Sequence, residues 1–178
     1  MKVPSEYPAL GYNFSVAAVD SLSSASASVI SSDSKDAEFQ SISGIKAERI
    51  TEPYEALGYN NMSYQLPYKT KYDDLILERG IVRAPSEFIN WCNAFINLDA
   101  SDAKGSNSLS TNSLSTKIIL VFLWDRDRNK PLMTWTFYNA FPKGIEYSGI
   151  IANENSYAIE TITIAYSHFT TKHDPPKD

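Results

Sequence analysis

Residues 118–139 read IILVFLWDRDRNKPLMTWTFYN. Ile118 to Trp124 is apolar at every position, so a strand built from it would offer apolar groups on both faces and belong at the centre of a fold. Asp125 to Pro131 is a charged turn, and the aromatic run Leu132 to Asn139 follows it directly, which predicts a β-hairpin. Asp125 and Asp127 alternate with Arg126 and Arg128, a pattern that reads as a solvated turn with offsetting charges and not as a paired-carboxylate or calcium site.

The segments around this hairpin alternate as strands do. Tyr12 to Val19 places Tyr12, Phe14, Val16 and Ala18 on one side of a half-buried strand. Phe39 to Ile50 reads as a second strand, broken near Ser43 and Gly44, where a bulge or a close backbone approach would require glycine. A third carries Leu75, Leu77 and Ile81 on one face, with Gly80 able to let it bend or end. The last runs from about Tyr157 to Phe169, with Ile162, Ile164 and Tyr166 facing inward and Thr161, Thr163 and Ser167 outward. One helix interrupts the strands: Pro85 and Ser86 start it, Glu87 suits its positive first turn, and Phe88, Trp91, Cys92 and Phe95 share a face.

Between these elements lie weaker signals. Residues 21–37 and 100–116 are Ser-rich, the second containing NSLST twice in succession, and both read as extended surface loops. Residues 54–68, with Tyr54, Tyr59, Tyr64 and Tyr68 among Gly58, Asn60, Asn61 and Pro67, read as a connection that packs against something. Residues 170–178 read as a loose tail. The expected fold is mainly β: a barrel or sandwich of two packed sheets with one flanking helix, in a single domain spanning 1–178.

Composition narrows the function. A chain of 178 residues with 11 tyrosines, 8 phenylalanines and 3 tryptophans can bury a core of its own, with aromatics suited also to subunit interfaces. Its net charge of -5 and scattered basic residues offer no run that could neutralise a phosphate backbone. The lone Cys92 rules out an internal disulfide and fits folding in a reducing compartment. The N-terminus does not read as a secretory signal, and the apolar run at 118–124 is far short of the roughly 20 residues of a membrane-spanning helix.

No catalytic constellation assembles. Cys92 lies on the apolar helix face, where it reads as a small hydrophobe, and His168 and His173 read as solvated and without metal partners. Glu52 and Glu55 lack partners too, and no phosphate loop or G-x-S-x-G appears. Neither an enzyme nor a cofactor is expected. The tryptophans could line a sugar site of a carbohydrate-binding β-sandwich, but Trp91, Trp124 and Trp135 fit core and interface packing better.

Read in order, short signatures cover nearly the whole chain. Tyr7 and Pro8 precede Phe14; Phe39, Ile42, Ser43 and Gly44 form F-x-x-(I/V)-S-G; Glu52, Tyr54, Gly58 and Asn60 lead to Leu66 and Pro67. Then come Leu77, Glu78, Arg79 and Gly80, a helix with Phe88 and Trp91, the W-x-x-x-N-A-F-P turn of Trp135, Asn139, Ala140, Phe141 and Pro142, and NENSYAIETITIAYSHF at 153–169. This succession resembles the tail tube family of contractile-tailed phages and phage-like contractile injection systems. The resemblance implies six copies in a ring, rings stacked into a hollow tube inside a contractile sheath, and partners at a baseplate or spike and at a tube terminator. It also implies protein or DNA cargo in the lumen, synthesis in the cytoplasm, and release as part of a particle. In such a ring the Thr161, Thr163 and Ser167 face would border the lumen. The two Ser-rich segments depart from the compact family pattern and keep open a tube-initiating, baseplate-proximal subunit beside the tube body.

Overall fold

The computed structural model describes residues 14–21, 39–54, 62–81, 86–96, 115–124, 131–148 and 158–173. The hairpin at its centre joins β6 (Lys117–Trp124) to β7 (Pro131–Tyr147), antiparallel, with Val121 opposite Trp135 and Ile119 opposite Phe137. The charged turn between them lies outside the described residues. β1 (Phe14–Val19) pairs with the other edge of β6, Val16 opposite Val121.

β7 runs far beyond the predicted aromatic strand. Its first half pairs with β6 and with β9 (His168–His173), and its second half with β8 (Ile159–Ala165). β8 pairs in turn with β5 (Leu75–Gly80), and β5 with β2 (Ser41–Ser43), giving the order β1-β6-β7-β8-β5-β2 with β9 beside β7. The expected turn at Asn139 to Pro142 is therefore a bend inside one strand. Asn139 takes a left-handed φ of 52°, and the register slips between Pro142 and Gly144. Asparagine adopts that conformation more readily than other non-glycine residues, so the chain turns from one arm to the other without ending the strand.

The core fills the space between the two arms. Val16, Leu75, Leu77, Ile119, Val121, Phe137, Ile162 and Ile164 meet there with Phe39 and Ala140. Helix α1 (Glu87–Ile96) adds Phe88, Ile89, Trp91 and Cys92. Each fully buried side chain of this size contributes about 1.5–3 kcal/mol relative to exposure. The Ser86 hydroxyl accepts a hydrogen bond from the Ile89 amide at 3.3 Å, the N-cap that the sequence placed there. The expected two-sheet architecture with one helix is what forms, although β1 is buried on both faces: Ala17 and Val19 join Leu120, Phe122 and Trp124 in a second cluster on its far side.

Three segments differ from expectation. The predicted second strand divides at Gly44, whose φ is +83° and where a Cβ would lie 1.9 Å from the Asp74 carbonyl oxygen; β2 ends before it and β3 (Ala47–Tyr54) leaves in a new direction. Residues 64–68 are not a connection but part of β4 (Tyr64–Tyr72), which among the described residues pairs with β3 alone; a two-stranded ribbon has no inner strand, so Pro67 is tolerated opposite Thr51 next to a bulge. Residues 170–173 are not a loose tail: β9 continues to His173 because its backbone finds partners along β7 from Met133 to Tyr138.

Candidate assembly surfaces

The structure holds three features that a self-contained domain would not need. The first is the β3–β4 ribbon. Its base is seated by Tyr72, whose ring lies 5.9 Å from that of Tyr166 and 5.7 Å from that of Phe169. Beyond the base, Tyr54, Met62, Tyr64, Leu66 and Tyr68 are each more than half exposed. Clustered apolar side chains on a projecting ribbon mark a contact surface, because water penalises leaving them bare. The sequence signalled this only as an excess of tyrosine.

The second is a polar outer face on the arm made of β2, β5, β8 and the second half of β7. Leu75, Leu77, Ile162 and Ile164 face inward beside the Arg79–Glu160 pair, whereas Ser41, Ser43, Thr161 and Thr163 point the other way. Thr161 and Thr163 thus lie where the sequence put them. Ser167 does not continue that face. It sits in the bend between β8 and β9, where its hydroxyl donates to the Tyr138 carbonyl at 3.0 Å, accepts from Asn139 Nδ2 at 3.2 Å and lies 3.0 Å from His168 Nδ1. His168 in turn stacks on Tyr138, with ring centroids 4.6 Å apart.

The third is the pair of sheet margins: among the described residues β1 and β2 end the strand order and do not pair with each other. Phe14, Ile42, Ile45, Leu123 and Trp135 line a groove along this open seam. Unpaired margins are templates for another chain.

The remaining motif residues hold the body together. Arg79 does not face solvent: its Nε donates to Glu160 Oε2 at 2.7 Å, both residues are about 5% exposed or less, and a guanidinium nitrogen reaches the Ser86 hydroxyl at 3.4 Å. Arg79 thereby takes the inward place that Ile81 was expected to share; Ile81 lies beyond the strand and is exposed. Gly80, opposite Ile159, ends β5 with open space around it. Tyr147 lies opposite Glu160 on β7, and its phenol is pushed up by desolvation first and by the Glu160 charge second. Phe39 packs edge to face on Phe88, and Phe141 stacks on Phe95 beside the buried Pro142. Trp91 donates its indole N–H to the Ser115 carbonyl at 3.2 Å, and Trp124 donates to the Ser15 hydroxyl at 2.7 Å. Trp91 and Trp124 are buried in the body, as core packing expects, and half-buried Trp135 lines the groove. Tyr7 and Pro8 lie outside the described residues.

Burial pushes the Cys92 thiol up to about 12, with Glu160 adding to the effect, so it stays protonated. Among the described residues no group of three or more His, Cys, Asp or Glu could hold a metal ion, and no helix is long and apolar enough to cross a membrane.

Among the described residues the body is β-rich, two strands end the sheet order unpaired and the ribbon exposes apolar side chains, the build of a structural subunit. The particular family follows from the sequence: residues 11–170 match the T4-like virus tail tube protein gp19 family, and the chain belongs to it. It is a tail tube protein. No curated protein matches the chain. Among solved structures, a chain of the anti-feeding prophage baseplate superposes with a TM-score of 0.70 at 20% identity, covering 94% of this chain and 97% of that one. A chain of the sheath-tube complex of an extracellular contractile injection system, PVC, gives 0.67 at 21% identity over 96% and 95%. Hcp1 from Flavobacterium johnsoniae shares the fold more distantly, at 0.51 and 16% identity over 92% and 97%.

Proposed function

We propose that the 178-residue chain is one tube-type domain of the inner tube of a contractile particle, in which six copies close a ring and rings stack into a conduit that sheath contraction drives forward. The observation that carries this reading is the β3–β4 ribbon, whose apolar side chains stand exposed among the described residues. In a stack they are buried against neighbours, while the free margins of the β2–β5–β8–β7 arm pair with the adjacent copies and leave no edge open. The Thr161 and Thr163 face then borders the lumen, where small hydroxyls offer water-compatible walls. A sheath outside, a baseplate at one end and a terminator at the other complete the particle, with the chain itself doing no chemistry.

Negative-stain microscopy of the purified chain tests this. Rings or tubes are expected from the wild type. Leu66→Asp with Tyr68→Asp, both on exposed positions, leaves a folded protein that no longer stacks. A wild type that stays monomeric at high concentration, or a variant that stacks unchanged, refutes the assignment of the ribbon.

A further inference from the structure

We propose that the β3–β4 ribbon is a jointed lever whose angle to the body is set by an ion pair between Lys143 and Asp74, so that pairing at the margin of β7 bears on how the ribbon meets a neighbouring ring; this rests on the stacking role given to the ribbon above. The joint is visible in the pairing registers. Four residues separate Ser43 from Ala47, and four separate Tyr72 from Ile76, so β2–β5 and β3–β4 keep one register and form a single antiparallel ribbon bent in its middle. At the bend the ladder thins. The Lys46 amide turns back to the Gly44 carbonyl at 2.8 Å, and the Asp73 amide reaches across to the Lys46 carbonyl at a long 3.4 Å. Gly44, at a φ of +83°, lies so close to the Asp74 carbonyl that no side chain fits between the two crossings. A few residues at the ends of elements, absorbing a change of direction, are how hinges are built.

Three sets of contacts hold the bend at its present angle. Tyr72, the last residue of β4, packs its ring on those of Tyr166 and Phe169 at 5.9 and 5.7 Å. The Lys46 ammonium lies 3.0 Å from Glu48 within the ribbon and 3.7 Å from Asp73 across the joint. Lys143 reaches in from another strand: its ammonium sits on the Asp74 carboxylate at 2.6 Å, from the β7 bulge where the register with β8 slips between Pro142 and Gly144. Of the three, the Lys143 contact ties the joint to β7. From Pro142 to Tyr147 the edge of β7 turned away from β8 has no partner among the described residues, so it is an edge that an adjacent copy takes when a ring closes. Pairing there fixes the bulge, and with it Lys143 and the joint. An ion pair as exposed as this one shifts an equilibrium by roughly fivefold at most, enough to bias the angle of the ribbon and too little to lock it. Lys143 is thus a positioning residue for a contact it does not itself make.

The test counts rings and tubes of the full chain separately, by electron microscopy and sedimentation over a range of concentrations. Lys143→Met and Asp74→Asn, neither of which removes a core side chain, are expected to form rings at the wild-type concentration and to stack only at a concentration several-fold higher. Lys143→Arg keeps the pair and is expected to stack as the wild type does. Exchanging the charges, Lys143→Asp with Asp74→Lys, is expected to recover most of the stacking, and it carries the test even where a single variant folds poorly, because it restores the pair. Single variants that stack like the wild type, single variants that lose rings and stacks in equal measure, or an exchange that recovers nothing overturn the proposal. Failure of the stacking reading looks different: the wild type forms no tubes, or Leu66→Asp with Tyr68→Asp stacks unchanged. Either result removes the contact that the lever serves and the proposal with it.

Discussion

Arg79 and Glu160 face each other from β5 and β8 at 2.7 Å, almost wholly buried, at the end of the arm where helix α1 begins. A guanidinium also bonded to the Ser86 hydroxyl ties the sheet to the helix cap. Removing one partner strands a buried charge, which costs about 3–5 kcal/mol, whereas replacing both by apolar groups of similar volume is often neutral or better. Urea unfolding of Arg79→Met or Glu160→Leu alone should show a large loss, and the double variant should recover most of it. Equal, additive losses would show that the two groups act independently.

Alkaline stability should fall early. The Cys92 thiol stands at about 12 against an ordinary 9.0, held up by desolvation, and the Tyr166 phenol at about 12 against 10.0, also by desolvation with Asp73 and Asp74 adding to it. In both cases the folded state keeps its proton after the unfolded chain has lost it. The stabilisation is full below the unfolded values and is lost as pH rises from about 9 toward 12. Denaturation midpoints measured across that range should decline, with a shallower slope in Cys92→Ala. Ellman's reagent at pH 8 should not reach Cys92 until the protein unfolds.

Tyr166 packs its ring 4.9 Å from Phe137, yet its buried hydroxyl has no hydrogen-bond partner among the described residues. An unsatisfied buried hydroxyl costs about 1–3 kcal/mol, so Tyr166→Phe should raise stability by about 1 kcal/mol in a thermal or urea scan. A loss of stability would reveal a bond to that oxygen.

Gly44 and Asn139 are the two described positions with left-handed backbone, and they should respond differently. Gly44→Ala adds both strain and a clash with the Asp74 carbonyl, and more than about 3 kcal/mol should disappear. Asn139→Gly keeps the bend and should cost at most about 1 kcal/mol from the lost bond to Ser167, while Asn139→Val should cost more. Comparison of urea midpoints for the three variants gives the order directly.

The alternation of Leu75 and Leu77, the doubly apolar run at 118–124 and the Phe88, Trp91, Cys92 spacing each specified an element and its inward face before any partner was known. Periodicity is a local property, set by backbone geometry, and a chain carries it in its order of residues. The collinear motifs carried the tail tube family in the same way. Tertiary structure decided what depends on a partner distant in sequence. It made Pro67 a ribbon residue opposite Thr51, made residues 170–173 a strand along β7, and took Ser167 out of the threonine face by binding it to Tyr138 and Asn139. It also buried Arg79 on Glu160, 81 positions away, and set Glu78 and Glu146 on either side of Thr161. Pairing register and the satisfaction of polar groups are relations between strands, and only the folded chain brings those strands together.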